Sequence, residues 1–176
     1  MVRFPCQWKA AGLSLTALAA FTLSCPALAQ SEGSFSSVTG YTYDYTRIQH
    51  GNATFTAGSL DGTTTVVSSS GSLFPEGQSF LRSCVIFSEE QPGGGLELKA
   101  PCTATETLDN GGDRFFLIYI REEGDLGAAH TGGGGRVEIM GGTGKYTGIT
   151  GRCSYETTYL STSLGTTKAD CSWRRP

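Results

Sequence analysis

The chain has 176 residues, with 13 Lys and Arg against 16 Asp and Glu, for a net charge of −3. That length suits one domain with a core of its own. The acidic balance, with no basic stripe, argues against nucleic acid and against an anionic membrane surface as partners.

The first segment is ordered like a secretory signal. Arg3 and Lys9 come first, then an uncharged run rich in Ala and Leu from Ala10 to Leu23. The small-x-small site Ala27-Leu28-Ala29 follows, ahead of Gln30. The run is shorter than the roughly 20 apolar residues that cross a membrane. A lipidated Cys25 is the competing reading, but Thr22 stands where a lipobox has Leu, and Pro26 follows directly. The expectation is an exported protein, periplasmic or extracellular, cleaved after Ala29 and free of the membrane afterwards. Cleavage removes Arg3 and Lys9 and no acidic residue, leaving 11 basic against 16 acidic side chains, a balance of −5.

Residues Gln30 to Ser37 read as a flexible tail, and 38–176 as a single domain. No segment keeps a 3.6-residue apolar period. β-rich runs alternate instead with glycine-rich turns, and strands are expected near 38–48, 60–69, 78–89, 95–107, 114–122, 135–142, 149–160 and 165–174. The longest connection, Glu122 to Gly135, is too rich in glycine for a helix and reads as a mobile lip. The fold class is therefore all-β. Eight strands suit a closed, up-and-down antiparallel barrel, because closure removes both sheet edges.

Cys6 and Cys25 leave with the signal. Cys84, Cys102, Cys153 and Cys171 remain, an even number that argues for two disulfides in an exported chain. No Cys-x-x-Cys occurs, and His50 and His130 stand apart, so no metal site is expected. Opposed residues of a hairpin have a constant index sum. Pairing Cys153 with Cys171 centres the turn on Thr162, within Ser161 to Gly165, and sets Glu156 against Lys168. The odd face then carries Cys153, Tyr155, Tyr159, Ala169, Cys171 and Trp173, and the even face carries the charges. Pairing Cys84 with Cys102 centres the other turn on Gly93. That register sets Glu89 against Glu97 and puts Pro101 beside the cysteine, where a bulge is expected to relieve the lost hydrogen bond. Several strands are apolar on both faces: Leu81, Val85 and Phe87 lie opposite the cysteine face, and Phe115 to Ile120 has no polar side. Two covers are open for this surface, loops and tail or a subunit interface.

Gly141-Gly142-Thr143-Gly144-Lys145 fails as a phosphate loop, because Ile139 stands where the first glycine belongs and Tyr146 replaces Ser or Thr. It reads as a tight glycine corner between strands. The stretch from Arg136 to Gly151, running on to Tyr155 and Tyr159, resembles the Gly-Gly-Thr-Gly-aromatic segment of dirigent proteins and is similar to the glycine corner of allene oxide cyclases. The resemblance covers about 25 residues closely and the rest loosely. It implies an eight-stranded antiparallel barrel, usually trimeric. It implies no catalytic residues here, since those families' residues have no match in this chain, and the two hairpin disulfides are outside their usual pattern.

No Gly-x-Ser-x-Gly occurs; Gly58 to Gly62 reads as a turn, as does Asp109-Asn110-Gly111-Gly112-Asp113, whose oxygen ligands are too few for calcium. His50 and His130 read as solvated. The chemistry that remains belongs to a lumen. Arg82, Tyr155, Tyr159 and Trp173 share the cysteine parity, while Arg114, Tyr119 and Glu138 are candidates whose parity is open. Arg82 beside tyrosines would polarise an anionic or carbonyl-bearing ligand. The plainer and favoured reading pairs Arg82 with Glu106 near a rim. The expected function is an exported barrel, without a cofactor, that binds a small apolar molecule or serves as an interaction module. A cofactor-free cyclase, isomerase or stereochemical guide is what the resemblance implies instead, and a structural or surface protein is the third reading.

Overall fold

The computed structural model describes residues 32–90, 96–107, 109, 111–124 and 132–176. The signal segment with its cleavage site, the turn at 91–95 and residues 125–131 of the expected lip, His130 among them, lie outside the described residues. Eight strands form one sheet: β1 (Glu32–His50), β2 (Ala53–Ser69), β3 (Ser79–Glu90), β4 (Leu96–Glu106), β5 (Arg114–Gly124), β6 (Gly133–Gly142), β7 (Thr150–Tyr159) and β8 (Leu164–Arg174). Each pairs antiparallel with the next, and β8 pairs with β1, so the sheet closes into an up-and-down barrel.

Two expectations at the strand level change. Residues from Glu32 onward are not a tail: Glu32 faces Arg174 and Phe35 faces Cys171, because β1 supplies the edge that closes the cylinder. There is also no bulge at Pro101. The β3–β4 register is the same on both sides of it, with Cys84 opposite Cys102 and Phe87 opposite Lys99. The ladder omits Val85 and Ile86, so the missing amide hydrogen of proline costs pairing but not register. Glu89 does face Glu97, and Lys99 pairs with Glu97 at 2.9 Å to offset the repulsion.

Both cystines form as the turn centres require, Cys84–Cys102 and Cys153–Cys171, each between directly opposed residues about 4 Å apart at Cα. All four cysteines are buried and point inward. Parity then runs through the barrel. Even residues of β3 and β4, and odd residues of β1, β5, β7 and β8, fill the interior. The outward apolar residues Leu81, Val85 and Phe87 are 60%, 64% and 55% exposed. Among the described residues neither loop nor tail covers them.

The two ends differ. At one end the β2–β3 connection turns back into the barrel. Gln78 N donates to Pro75 O, with Gly77 at φ 82°, the sign that a type II turn requires at its third position. This turn delivers Phe74, fully buried, into a cluster with Phe35, Phe80, Phe115, Tyr146 and Trp173. The glycine corner closes the same end. Gly144 to Tyr146 form a short 3-10 turn, and Lys145 N donates to Asp113 Oδ2 at 3.0 Å. Gly144 has φ 51°, and a Cβ there would overlap the Asp113 carboxylate. The segment's role is thus structural, as expected of a glycine corner.

Candidate functional site

The other end keeps a cavity of about 40 Å³ inside the barrel. That is room for a small group of atoms. Tyr41 and Tyr45 reach it from β1, Arg82 from β3, Tyr119 and Arg121 from β5, and Tyr155 and Tyr159 from β7. The Cys84–Cys102 disulfide, Leu60, Ile86 and Leu98 supply apolar wall. Among the described residues no carboxylate lines it.

Strand alternation explains the assembly. Phe115, Leu117, Tyr119 and Arg121 are successive inward positions of β5, the first two packing the core and the last two reaching the cavity. Gly165 lies opposite Tyr41 across β8 and β1, and a Cβ there would overlap the tyrosine ring. The glycine is what lets that ring lie against the barrel wall.

Two arginine–tyrosine pairs form the polar centre. Arg82 Nη1 donates to the Tyr119 hydroxyl, and its guanidinium lies 5.0 Å from that ring's centroid. Arg121 Nε donates to Tyr155 Oη at 3.1 Å. The Tyr119 and Tyr155 rings meet edge to face at 5.0 Å, so the two pairs form one unit. Burial pushes the Tyr119 hydroxyl above its ordinary pKa, with Arg82 opposing that shift. Burial likewise raises Tyr155 and Tyr41, and pushes Tyr159 up to about 12, with Arg121 opposing. The tyrosines are therefore neutral hydrogen-bonding groups at ordinary pH. Among the described residues the Nε of Arg82 is buried with no hydrogen-bond partner, as are Trp173 Nε1, Glu106 Oε2 and Gln78 Oε1 at the closed end.

Of the residues expected in a lumen, Arg82, Tyr119, Tyr155 and Tyr159 converge on this cavity. Trp173 is inward but belongs to the closed end, where its ring meets Phe74. Arg114 and Glu138 are corrections. Both fall on the outward parity of β5 and β6, where Phe115, Leu117, Val137 and Ile139 take the interior. Glu138 instead lies 3.7 Å from Arg136 on the outer face. The expected Arg82–Glu106 pair is also absent. Glu106 is fully buried at the closed end, where its Oε1 accepts from Gln78, from Tyr146 at 2.6 Å and from Lys145 at 2.5 Å. Tyr41, Tyr45 and Arg121 complete the site without having been singled out. The alternation Tyr41-x-Tyr43-x-Tyr45 was the available signal for the first two, and parity with Tyr119 for the third. His50 ends β1 on the exterior, its ring 6.3 Å from Phe55.

Fold and site together define a small closed antiparallel barrel, plugged by rings at one end and holding a tyrosine–arginine cavity at the other. No protein-family model matches the chain, and no curated protein does. Among solved structures the chain is similar to the pterocarpan synthase dirigent protein GePTS1, at 14% identity and a TM-score of 0.45, over 90% of this chain and 100% of that one. The closed eight-stranded ladder stands on its own strand pairing.

Proposed function

We propose that this protein is an exported binding module that takes part of a small molecule into the tyrosine–arginine cavity. The observation that carries this reading is the convergence of Arg82, Tyr119, Arg121 and Tyr155 on space inside an otherwise filled barrel. Buried arginines packed only for stability would ordinarily face carboxylates, and among the described residues none lines this space. The cavity admits one small group, which sits between the arginine–tyrosine pairs and the apolar wall of Leu60, Ile86 and Leu98. Export rests on the N-terminal pattern and agrees with the two disulfides.

A cofactor-free cyclase, isomerase or stereochemical guide is the second reading, favoured by the same convergence. Such catalysis needs a shaped cavity and one or two fixed polar groups, and neutral tyrosines held by arginines are hydrogen-bond donors of that kind. Binding is tested first. Ligand-observed NMR with a mixed panel of small aromatic acids, alcohols and amides should show saturation transfer to some members. Ala100→Leu adds three carbons to the cavity wall and should abolish that transfer, with far-UV circular dichroism unchanged. A panel with no binders, or binders indifferent to Ala100→Leu, would remove the reading.

A further inference from the structure

We propose that this chain pairs with a second copy of itself through the outer face of β3, β4 and β5, the two barrels running in opposite directions about a two-fold axis level with Pro101. The inference stands apart from the cavity. Strand pairing sets the outward side chains of this face in rows across the strands. Leu81, Thr105 and Arg114 form the row at the closed end. At the open end Glu89 faces Glu97, and Glu122 is the outward residue of β5 at that level. Between the two rows, Lys99 is the one charged residue among the outward positions of these strands. Leu81, Val85 and Phe87 are more than half exposed, as is Met140 at the β6 margin, and Phe116 is 40% exposed. A groove crosses the middle of the face, lined by Val85, Pro101, Phe116, Ile118 and Met140.

Area says that the face is meant to be covered. Those five exposed side chains present on the order of 500 Å² to water. A standard interface buries about 800 Å² per partner, of which about three-fifths is apolar, so this face supplies the apolar share of one interface. Its uniqueness selects the occupant. The outward residues of β7 and β8 are polar or charged, among them Arg152, Glu156, Lys168 and Asp170. The other exposed large hydrophobics, Ile48, Val67, Leu160 and Leu164, stand singly at strand ends. Among the described residues no second apolar face matches this one, so within one kind of chain its complement is the same face on another copy. Charge then fixes the direction. Two copies running the same way would set the carboxylate row against itself. Reversed copies set the Arg114 end of each against the carboxylate row of the other. An axis lying across the strands keeps β5 over β5, so Arg114 meets Glu122 of the second copy. Arg114 is exposed and forms no ion pair among the described residues. Glu122 is engaged by Arg136 through Oε1, and its other oxygen is the one offered to Arg114.

The test is sedimentation velocity on the purified protein with both disulfides formed, from about 1 to 100 µM. A monomer–dimer equilibrium is expected. Val85→Glu brings two carboxylates together near the axis and should weaken the dimer about a hundredfold or more, while Thr158→Glu on the polar side should leave it unchanged. Arg114→Glu and Glu122→Arg should each weaken the dimer when alone. Mixed in equal parts they should restore it, because both contacts of the mixed pair then join opposite charges. A monomer throughout the range overturns the proposal. So does a trimer, the assembly that the resemblance to dirigent proteins implies, and so does a dimer indifferent to Val85→Glu. Variants that associate no better mixed than apart overturn the reversed direction. The wild-type mass is read without any variant, so the result does not depend on a variant's folding. Failure here leaves the binding reading standing, since no residue substituted in this test lines the cavity.

Discussion

At the closed end of the barrel Phe74 meets the rings of Phe35, Phe80, Phe115, Tyr146 and Trp173. At the opposite end Tyr41, Tyr45, Tyr119, Tyr155 and Tyr159 surround an unfilled cavity. Each end is rich in rings, and what separates them is how the polar atoms are placed. In the plug, one buried carboxylate, Glu106, gathers donors from Gln78, Tyr146 and Lys145. In the cavity the charges are guanidinium groups and the hydroxyls are shared between them. Neither end satisfies every polar atom: among the described residues Glu106 Oε2, Gln78 Oε1 and Trp173 Nε1 lack partners in the plug, and Arg82 Nε lacks one on the other side, so what distinguishes the ends is the sign of the buried charge.

This contrast is open to breakage from the plug first. Phe74→Ala should cost about 3–5 kcal/mol, since a fully buried ring leaves a void that five neighbours cannot fill. The urea midpoint of the oxidised protein measures it, and a loss under about 1 kcal/mol would mean that the plug does not hold the barrel. Tyr146→Phe should cost about 1–3 kcal/mol, because it withdraws a donor from a carboxylate that has no water to replace it. In the cavity, Tyr155→Phe takes an acceptor from Arg121 beside open space, and its cost should stay under about 1 kcal/mol. Equal costs for the two tyrosine variants would erase the distinction between the ends.

A further effect is alkaline. Tyr159 has its pKa pushed from 10.0 up to about 12, chiefly by burial. Between those values the unfolded chain has released the proton and the folded one still holds it, so unfolding gains from rising pH. The contribution is full below pH 10 and fades as pH climbs toward about 12. Urea midpoints across that window should fall, and Tyr159→Phe should make the fall shallower. An unchanged slope would place this ring in water rather than in the barrel.

Much of this was legible in the residue pattern. Two numbers sufficed for two of the eight strand pairings: the index sums of Cys84–Cys102 and Cys153–Cys171 fall on turn-rich centres, and the observed registers follow them. Alternation is a local property of extended backbone, so the inward placement of Arg82, Tyr155 and Tyr159 followed once the cysteine face was known. Where both faces of a strand are apolar, alternation gives no sign. Arg114 and Glu138 were consequently carried as lumen candidates, and only the pairing of β5 and β6 with their neighbours put them outside.

The sequence by itself determined the class of fold, its eight strands, both cystine pairs and the parity of the strands that carry them. The tertiary structure alone decided what plugs the barrel and what does not. Phe74 lies in a connection where no period applies, and Glu106 is drawn to that end by donors from two distant segments, leaving Arg82 without it. The physical reason is the range of the information: strand periodicity and turn chemistry are read over a few neighbouring residues. The partner of a buried charge is instead set by closure of the cylinder, which brings residues 82, 106, 119 and 146 into one interior.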